Sequence, residues 1–273
     1  MTINLKGELI DLSQPKIMGI LNLTPDSFYD GGKFNSIDRA LTQTEKMIID
    51  GAFLIDLGAC STRPGADEIS EEEEKKRLYP ILEKLIERFP NNHFSIDTYR
   101  ASIAKGSLSR GASMINDISG GQFDPAMMET VGKFSAPYVL MHIQGQPKEM
   151  HKDPAYKNVV QEVLYYFSEK IQQAYSMGIN DVIIDPGFGF GKTLQHNYEL
   201  IKNLELFQTL DQPLLVGVSR KSMIYKKLET TPEQALNGTT VLHTAAIIKG
   251  ANILRVHDVK EAKECIELLQ ALQ

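Results

Sequence analysis

The chain has 273 residues, of which 42% are hydrophobic and 23% charged, a composition typical of a folded globular protein rather than a disordered one. Its formal net charge of −6 speaks against nucleic acid or an anionic membrane surface as the main partner. The two cysteines, Cys60 and Cys265, lie far apart, which speaks against a disulfide framework or a thiolate zinc site.

The distribution of apolar residues indicates where the protein resides. Residues 1–11 alternate polar and apolar side chains, and no stretch approaches the roughly 18 consecutive apolar residues of a membrane span. We therefore expect neither secretion nor a membrane span, and a reducing cytoplasm is the expected location.

Eight short apolar runs, each typical of a strand buried on both faces, follow one another along the chain. They cover residues 17–21, 53–55, 94–96, 114–115, 138–141, 182–184, 214–218 and 253–254. Each run ends on a polar residue that could bind or catalyse. These residues are Asn22, Asp56, Asp97, Asn116, His142, Asp185, Ser219 and, after the last run, Arg255 and His257.

Segments with helical periodicity separate the strands. They cover about 37–50, 71–89, 100–110, 125–134, 158–177, 194–206, 232–249 and 259–272. Ser70 and Glu73 have the spacing of a capping box, which predicts the start of the second helix. Parallel strands joined by helices form either a closed barrel or an open doubly wound sheet. Eight units favour an α/β fold with a single (β/α)8 TIM barrel over residues 1–273 and an active site at the C-terminal face of the strands.

Three of the predicted loops are long and polar, at residues 22–36, 58–69 and 143–156. Loops of this length are usually functional. The glycine-rich segment 185–193 is neither a phosphate loop, because Pro186 replaces the first glycine, nor a dinucleotide motif, because Lys192 replaces the third. The segment is therefore predicted to be a turn that follows a strand-end carboxylate.

Carboxylates that end apolar strands need partners, because burying an unpaired charge is costly. For any one of Asp56, Asp97 and Asp185, a structural salt bridge is an alternative as good as a functional role. Several such groups at one rim, together with the amide Asn116, favour a ligand rich in N–H donors. The 2-amino-4-oxo-pyrimidine edge is such a ligand, because it offers an amino group and a ring N–H side by side.

Cationic side chains follow the last two strands. Arg255 and His257 project to the same side of their strand and suit an anion, since barrels often hold phosphate at this place. Lys221 and Ser222 could receive a carboxylate, although Lys221 could also be a Schiff-base lysine. No histidine pair has the spacing of a dedicated transition-metal site.

Several short motifs resemble the dihydropteroate synthase family, in the family's order and over nearly the whole chain. They are Asn22–Phe28, Asp30–Gly32, Ser61–Gly65, Ser95–Thr98, Asn116–Asp117, Asp185–Lys192, Ser219–Ser222 and Arg255–Asp258. The resemblance implies an enzyme of folate biosynthesis, and thus a transferase. It would join 6-hydroxymethyl-7,8-dihydropterin diphosphate to p-aminobenzoate by an SN1-like path and release diphosphate.

The resemblance also implies a role for each matching position. The catalytic residues would be Arg63, Lys221, Arg255 and His257. The pterin would be held by Asp97, Asn116, Asp185, Lys221 and Met141, and the diphosphate by Thr62, Arg255 and His257. The p-aminobenzoate site would be shaped by Phe28, Pro64, Phe190 and Ser222, and Mg²⁺ would be bound by Asn22. A homodimer formed through the outer helices is implied in the same way.

Three other functions remain open from the residues alone. A pterin-binding methyltetrahydrofolate methyltransferase could share the Asp/Asn pocket, but it would not need Ser61–Gly65 or Ser219–Ser222. A Schiff-base aldolase would use Lys221, and borohydride trapping would reveal it. A catalytically silent pterin-binding paralogue is the third, and the intact Asn22 and Arg63 argue against it.

Overall fold

The computed structural model describes residues 1–23, 33–60, 69–145, 150 and 154–272, with the side chains of residues 33–35 excepted. A two-stranded antiparallel hairpin is followed by eight parallel strands. The hairpin consists of β1 (Thr2–Leu5) and β2 (Glu8–Asp11). The parallel strands are β3 (Lys16–Asn22), β4 (Leu54–Gly58), β5 (His93–Asp97), β6 (Met114–Asp117), β7 (Tyr138–Met141), β8 (Val182–Asp185), β9 (Leu215–Val216) and β10 (Ile253–Val256).

The eight parallel strands form a barrel in the order β8-β7-β6-β5-β4-β3-β10-β9. A parallel bridge between Ile184 and Leu214 joins the two outer strands of this order, so the sheet closes on itself. Each strand lies beside its neighbour in the sequence, as the short helical crossovers require. The predicted (β/α)8 TIM barrel is therefore confirmed.

Helices surround the barrel near the eight predicted places, and one further short helix, Ser222–Tyr225, was not among the predicted segments. They are α1 (Lys33–Asp50), α2 (Glu71–Arg88), α3 (Ala101–Leu108), α4 (Met127–Lys133), α5 (Val159–Ser176), α6 (Leu194–Lys202), α7 (Ser222–Tyr225), α8 (Leu236–Ile248) and α9 (Val259–Gln270). The segment predicted as one helix over 194–206 instead ends at Lys202 and continues as the 3-10 helix Leu204–Leu210. None of the described helices is long and apolar enough to cross a membrane.

The hairpin β1–β2 covers the N-terminal end of the barrel. Its buried residues Ile3, Leu5 and Ile10 form one apolar cluster with the inward-facing residues at the lower end of the strands. Those residues are Met18, Leu54, Met114, Val139, Ile183, Leu215 and Ile253. A larger apolar cluster fills the space between the strands and the helices. The barrel therefore opens at the C-terminal ends of its strands, which is where the predicted site lies.

Helix α2 begins at the predicted serine, but only one of the two hydrogen bonds of the predicted capping box is present. The Ser70 hydroxyl accepts a hydrogen bond from the Glu73 backbone N–H at 3.2 Å. The Glu73 carboxylate pairs with Arg77 at 2.8 Å, one turn further along the helix. Four glutamates occupy the first turn, where negative charge interacts favourably with the helix dipole.

We expect Ser70→Ala to lower the free energy of unfolding by about 1 kcal/mol, because the first turn loses the acceptor for an otherwise unpaired N–H. Urea unfolding followed by circular dichroism measures the change. Ser168→Ala is a matched control within the exposed face of α5, and there we expect a change of less than about 0.5 kcal/mol. Equal stability of the two variants would contradict the cap.

A second prediction concerns His243, which is 2% exposed within α8. Burial lowers its pKa from 6.5 to about 4, against the opposing charge of Asp258. Between these two pH values the unfolded chain binds a proton that the folded chain does not bind. Stability is therefore lost as the pH falls from 6.5 towards 4, by up to roughly 3 kcal/mol.

The variant His243→Leu removes the titrating ring from this position. Between pH 7 and pH 4 we expect it to lose less stability than the unmodified chain, each compared with its own value at pH 7. The free energies of unfolding come from urea titrations at both pH values. Parallel losses in the two proteins would show that His243 does not contribute to acid sensitivity.

Candidate active site

Three polar residues and one glycine form a row at the C-terminal ends of four neighbouring strands. Asn22 of β3 pairs in register with Gly58 of β4, which pairs with Asp97 of β5. Asp97 pairs in turn with Asn116 of β6. Paired residues of parallel strands project from the same face of the sheet, so the three polar side chains lie beside one another at the barrel mouth. The predicted convergence of strand ends is therefore observed.

Arg255 crosses the mouth and connects three strands. Its Nε donates to Asp56 Oδ2 at 2.6 Å, and its Nη2 donates to Asp97 Oδ2 at 2.7 Å. Asn116 Nδ2 donates to the same Asp56 oxygen at 2.9 Å. Asp56 thus fixes both the arginine and the amide, which gives it a definite structural role.

The two carboxylates in this network have different environments. Asp56 is fully buried, and its Oδ1 has no hydrogen-bond partner among the described residues. Burial raises the pKa of Asp97 to about 7; the neighbouring Asp56 acts in the same direction, and Arg255 opposes both. Arg255 and a donor-rich ligand would therefore both favour the ionised form of Asp97, against the effect of burial.

Asp185 lies at the end of β8 and is 4% exposed. Its Oδ1 accepts from the backbone N–H of Gly187 at 2.8 Å, which fixes the orientation of the carboxylate. Gly187 has a φ of +71°, and a Cβ there would lie 2.0 Å from the His142 carbonyl oxygen. The turn after Asp185 therefore requires glycine at this position.

Lys221 reaches across from the segment after β9 towards this turn. Its Nζ donates to the Phe188 carbonyl oxygen at 2.6 Å and lies 4.8 Å from the centre of the Phe190 ring. Burial lowers the pKa of Lys221 to about 8, and the charge of Asp185 opposes that shift. Lys221, Asp185 and Phe190 therefore share one side of the mouth, and Ser222 directly follows Lys221 at the start of α7.

Apolar side chains line the neighbouring wall. Met141 pairs in register with Asp185, and it belongs to a buried cluster with Ile118, Ile143 and Met150. Phe190 packs against this cluster. The predicted apolar wall therefore lies beside the predicted pterin residues.

Lys192 is a buried residue whose place the sequence did not predict. Its Nζ donates to the carbonyl oxygens of His142, Gly187 and Phe190 at 3.2, 3.0 and 2.9 Å, and it lies 3.0 Å from His142 Nδ1. Burial lowers its pKa to about 7, and the charge of Asp185 opposes that shift. Lys192 thus binds the glycine-rich turn to the end of β7, and the contact accounts for His142, whose role the sequence left open.

Arg220 has a structural role beside the site. It donates to both carboxylate oxygens of Asp258 at 2.8 and 2.9 Å, and to the carbonyl oxygens of Pro232 and Glu233. Its neighbour Ser219 contacts the ring of His257, with 3.1 Å between Oγ and Nδ1. The segments after β9 and β10 are therefore joined twice.

Asn22 is the predicted magnesium ligand. It is half-buried at the end of β3, and its side chain makes no hydrogen bond to the described residues. The described residues contain no group of three or more His, Cys, Asp or Glu that could hold a metal ion. One amide oxygen fits Mg²⁺ that is bound mainly by water and substrate phosphates, and it does not fit a cage built from protein ligands.

Four of the predicted site residues lie outside the described residues: Phe28, Thr62, Arg63 and Pro64. The structure brings the other predicted residues together, and it adds Asp56, Lys192 and Ser219 to them. Among these, Asp56 and Ser219 had a signal in the sequence as polar residues at strand ends. Lys192 stands out in the sequence as part of a glycine-rich segment, but that segment does not match a phosphate loop, so no role for Lys192 was predicted.

Comparisons with known proteins match most of the chain. The family model described as pterin binding enzyme matches residues 18–257. The dihydropteroate synthase of Haemophilus influenzae is 45% identical over 267 residues, which cover 97% of this chain and 96% of that protein. Among solved structures, Yersinia pestis dihydropteroate synthase in complex with a sulfonamide drug is 44% identical with a TM-score of 0.93, covering 100% of this chain and 99% of that chain.

A further solved structure is the Xanthomonas albilineans dihydropteroate synthase with 4-aminobenzoic acid. It is 36% identical with a TM-score of 0.93, and the match covers 100% of this chain and 98% of that chain. Sequence and fold thus agree over nearly the full length of these relatives. The chain belongs to the pterin-binding enzymes and, within them, to the dihydropteroate synthase family.

Proposed function

We propose that this chain condenses 6-hydroxymethyl-7,8-dihydropterin diphosphate with p-aminobenzoate to give 7,8-dihydropteroate and diphosphate. The observation that carries the proposal is the group of hydrogen-bond acceptors at the barrel mouth, formed by Asp97, Asn116 and Asp185. Carboxylate and amide oxygens complement the amino group and ring N–H of a pterin. Membership of the dihydropteroate synthase family supports the same substrate.

The pterin would lie between the two carboxylates, with Met141 against its ring. Asp185 is oriented by Gly187 and keeps its Oδ2 for the ligand, while Lys221 supplies a donor from the other side. Burial of all these groups strengthens each hydrogen bond, because water does not compete for it. The polar atoms are fixed before the ligand arrives, which lowers the cost of binding.

Arg255 and His257 would hold the diphosphate, together with Thr62, which follows β4 in the sequence. Arg255 Nε and Nη2 are engaged by Asp56 and Asp97, whereas its Nη1 donates to no described residue. The arginine can therefore remain in its carboxylate network and still donate to an anion. Charge-assisted bonds of this kind stabilise the negative charge that grows on a leaving group.

Mg²⁺ is the proposed cofactor, with Asn22 as its protein ligand. When bound, the ion would neutralise part of the diphosphate charge and so make it a better leaving group. The half-buried amide of Asn22 stands at the same level as Asp97, in the row described above. The protein contribution to the metal site is then small, as expected where phosphates supply most of the ligands.

Phe190, Ser222, Phe28 and Pro64 would shape the p-aminobenzoate site. Lys221 Nζ lies 4.8 Å from the centre of the Phe190 ring. An aromatic carboxylate could therefore contact the ring and the cation at the same time. Ser222 begins a helix beside them and can donate to the carboxylate. The solved Xanthomonas albilineans relative with 4-aminobenzoic acid supports this substrate.

The reaction path we propose is SN1-like. The bond between the exocyclic methylene and the diphosphate breaks first, and the electron-rich pterin delocalises the positive charge. The aromatic amine then attacks the methylene and loses a proton. No strong general base is needed, because the amine is a nucleophile in its neutral form. Arg255, His257, Lys221 and Arg63 would stabilise the charges that change during these steps.

We also propose a cytoplasmic homodimer formed through the outer helices. Val241 and Ile248 of α8 and Leu268 of α9 are 59%, 70% and 70% exposed, and the two helices pack together. Exposed apolar residues on adjacent helices suit a partner of the same kind. Light scattering after gel filtration should give twice the 30.5 kDa of one chain, and a single-chain mass would contradict the dimer.

The decisive experiment is an assay of dihydropteroate formation from pterin diphosphate, p-aminobenzoate and Mg²⁺. We expect product, together with one equivalent of diphosphate for each dihydropteroate formed. Omitting p-aminobenzoate is the control for hydrolysis of the pterin substrate. A folded protein that binds the pterin but forms no product would contradict the proposed reaction and favour a silent pterin-binding paralogue.

A further inference from the structure

The Ser219 hydroxyl lies between two atoms of His257. Its Oγ accepts a hydrogen bond from the His257 backbone N–H at 3.2 Å and lies 3.1 Å from Nδ1 of the ring. Ser219 is 3% exposed, whereas His257 is exposed at the end of β10. Nδ1 of the exposed His257 ring is therefore hydrogen-bonded to the buried hydroxyl of Ser219.

The direction in which the Ser219 hydroxyl donates its proton determines which nitrogen of the neutral His257 ring carries a proton. If Nδ1 carried the proton, Oγ would accept from two N–H groups, and its own proton would need another acceptor. Within the described part of the chain, His257 Nδ1 is the only acceptor within reach of that proton. A buried hydroxyl proton without an acceptor is unfavourable, so Oγ donates to Nδ1 and the neutral ring carries its proton on Nε2.

The surrounding structure keeps the two residues at this distance. Arg220, next to Ser219, forms a two-pronged ion pair with Asp258, next to His257. The backbone of Arg220 is held in place as well, because its N–H donates to Thr239 Oγ1 at 3.0 Å. The contact between Ser219 and His257 is thus supported by an ion pair between their immediate neighbours.

We propose that Ser219 is a positioning residue for the reaction, which holds His257 as the Nε2–H tautomer and so presents a donor to the diphosphate. The inference rests on the proposed function for the identity of the anion. The hydroxyl does not touch the substrate; it acts through the histidine. A neutral imidazole that always presents N–H can bind an anion without first taking up a proton.

The tautomer can be measured directly. Long-range ¹H–¹⁵N spectra of ¹⁵N-histidine-labelled protein distinguish the two ring nitrogens, and the spectrum of His257→Gln assigns the signal among the six histidines. At a pH where the ring is neutral, we expect the Nε2–H form alone in the unmodified chain. In Ser219→Ala we expect a mixture of both tautomers, and Ser219→Thr, which keeps the hydroxyl, should restore the single form.

Binding of inorganic diphosphate with Mg²⁺, measured by calorimetry, tests the consequence. Loss of the fixed donor should weaken diphosphate binding about threefold to tenfold in Ser219→Ala, the effect of one net hydrogen bond. Affinity for 6-hydroxymethyl-7,8-dihydropterin, which lacks the diphosphate, should not change. Ser113→Ala is the matched control, because Ser113 is a buried serine at the opposite end of the barrel with no described partner for its hydroxyl.

Two results would overturn the inference. One is an Nδ1–H ring in the unmodified chain, and the other is a tautomer and diphosphate affinity that Ser219→Ala leaves unchanged. If Ser219→Thr does not fold, the alanine variant and the unmodified chain still decide both points. Neither measurement depends on turnover, so a failure to form dihydropteroate would count against the proposed function and not against the role of Ser219.

Discussion

Asp185→Asn should weaken pterin binding by more than roughly a hundredfold, which corresponds to losing two charge-assisted hydrogen bonds. The reason lies in the turn that follows β8. The backbone N–H of Gly187 donates to Asp185 Oδ1, so the oxygen of an asparagine would be held there. Its NH₂ group would then occupy the place of Oδ2 and point a donor at the donor-rich edge of the pterin.

Calorimetric titration with the pterin substrate measures this loss. Asp211→Asn is the matched control, because Asp211 is an exposed aspartate just before β9, at the opposite end of the barrel. Its φ of +53° is a conformation that asparagine also adopts readily. Pterin affinity equal to that of the control would remove Asp185 from the binding site.

Arg255→Ala should lower both activity and stability. Turnover should fall by more than about an order of magnitude, because a charge-assisted contact with the leaving group is lost. The free energy of unfolding should fall by about 3–5 kcal/mol, since Asp56 and Asp97 would keep their burial and lose their common cation. Steady-state kinetics and urea unfolding measure the two effects separately.

A second substitution separates the two roles of Arg255. The double variant Arg255→Ala/Asp56→Asn lacks both the cation and one of the two buried carboxylates. It should therefore be more stable than Arg255→Ala alone. Turnover should stay low, because the donor to the diphosphate is still missing. Arg88→Ala, an exposed arginine of α2, is the control for loss of an arginine. Recovery of both properties in the double variant would mean that Arg255 acts only through stability.

The barrel and the positions of its polar strand ends could be predicted because they depend on local sequence. An apolar run such as Val182–Ile184, followed by a helix-length segment, is typical of a strand in a parallel sheet that helices cover on its outer face. Its last residue then lies at the mouth, whichever residues surround it. For this reason Asp97, Asn116 and Asp185 could be assigned to one rim before their neighbours were known.

The partners within the site could not be predicted in this way. Arg255 contacts Asp56 over a separation of 199 residues, and Lys192 contacts His142 over 50. Local periodicity does not predict such pairs, because several carboxylates or carbonyl oxygens at the same rim could each accept from Arg255 or Lys192. The sequence therefore indicated that Asp56 needs a partner without indicating which residue provides it.

The hairpin β1–β2 was also missed as an element, although the alternation of its residues was visible. Two short strands are only marginally stable alone, so their pairing depends on the surface that they cover. That surface comes from strands spread over the whole chain, from Met18 to Ile253. The alternation of residues 1–11 shows which hairpin side chains are apolar, but it does not show which strand residues they pack against.

The late partners of the hairpin also affect the order in which the chain can fold during synthesis. Ile3, Leu5 and Ile10 leave the ribosome well before Leu215 and Ile253, and Asn252 donates to the Leu12 carbonyl across 240 residues. Contacts so distant in sequence form slowly, because a long loop must close first. The apolar side of the hairpin can therefore complete its contacts with the barrel only after the last strands have been made.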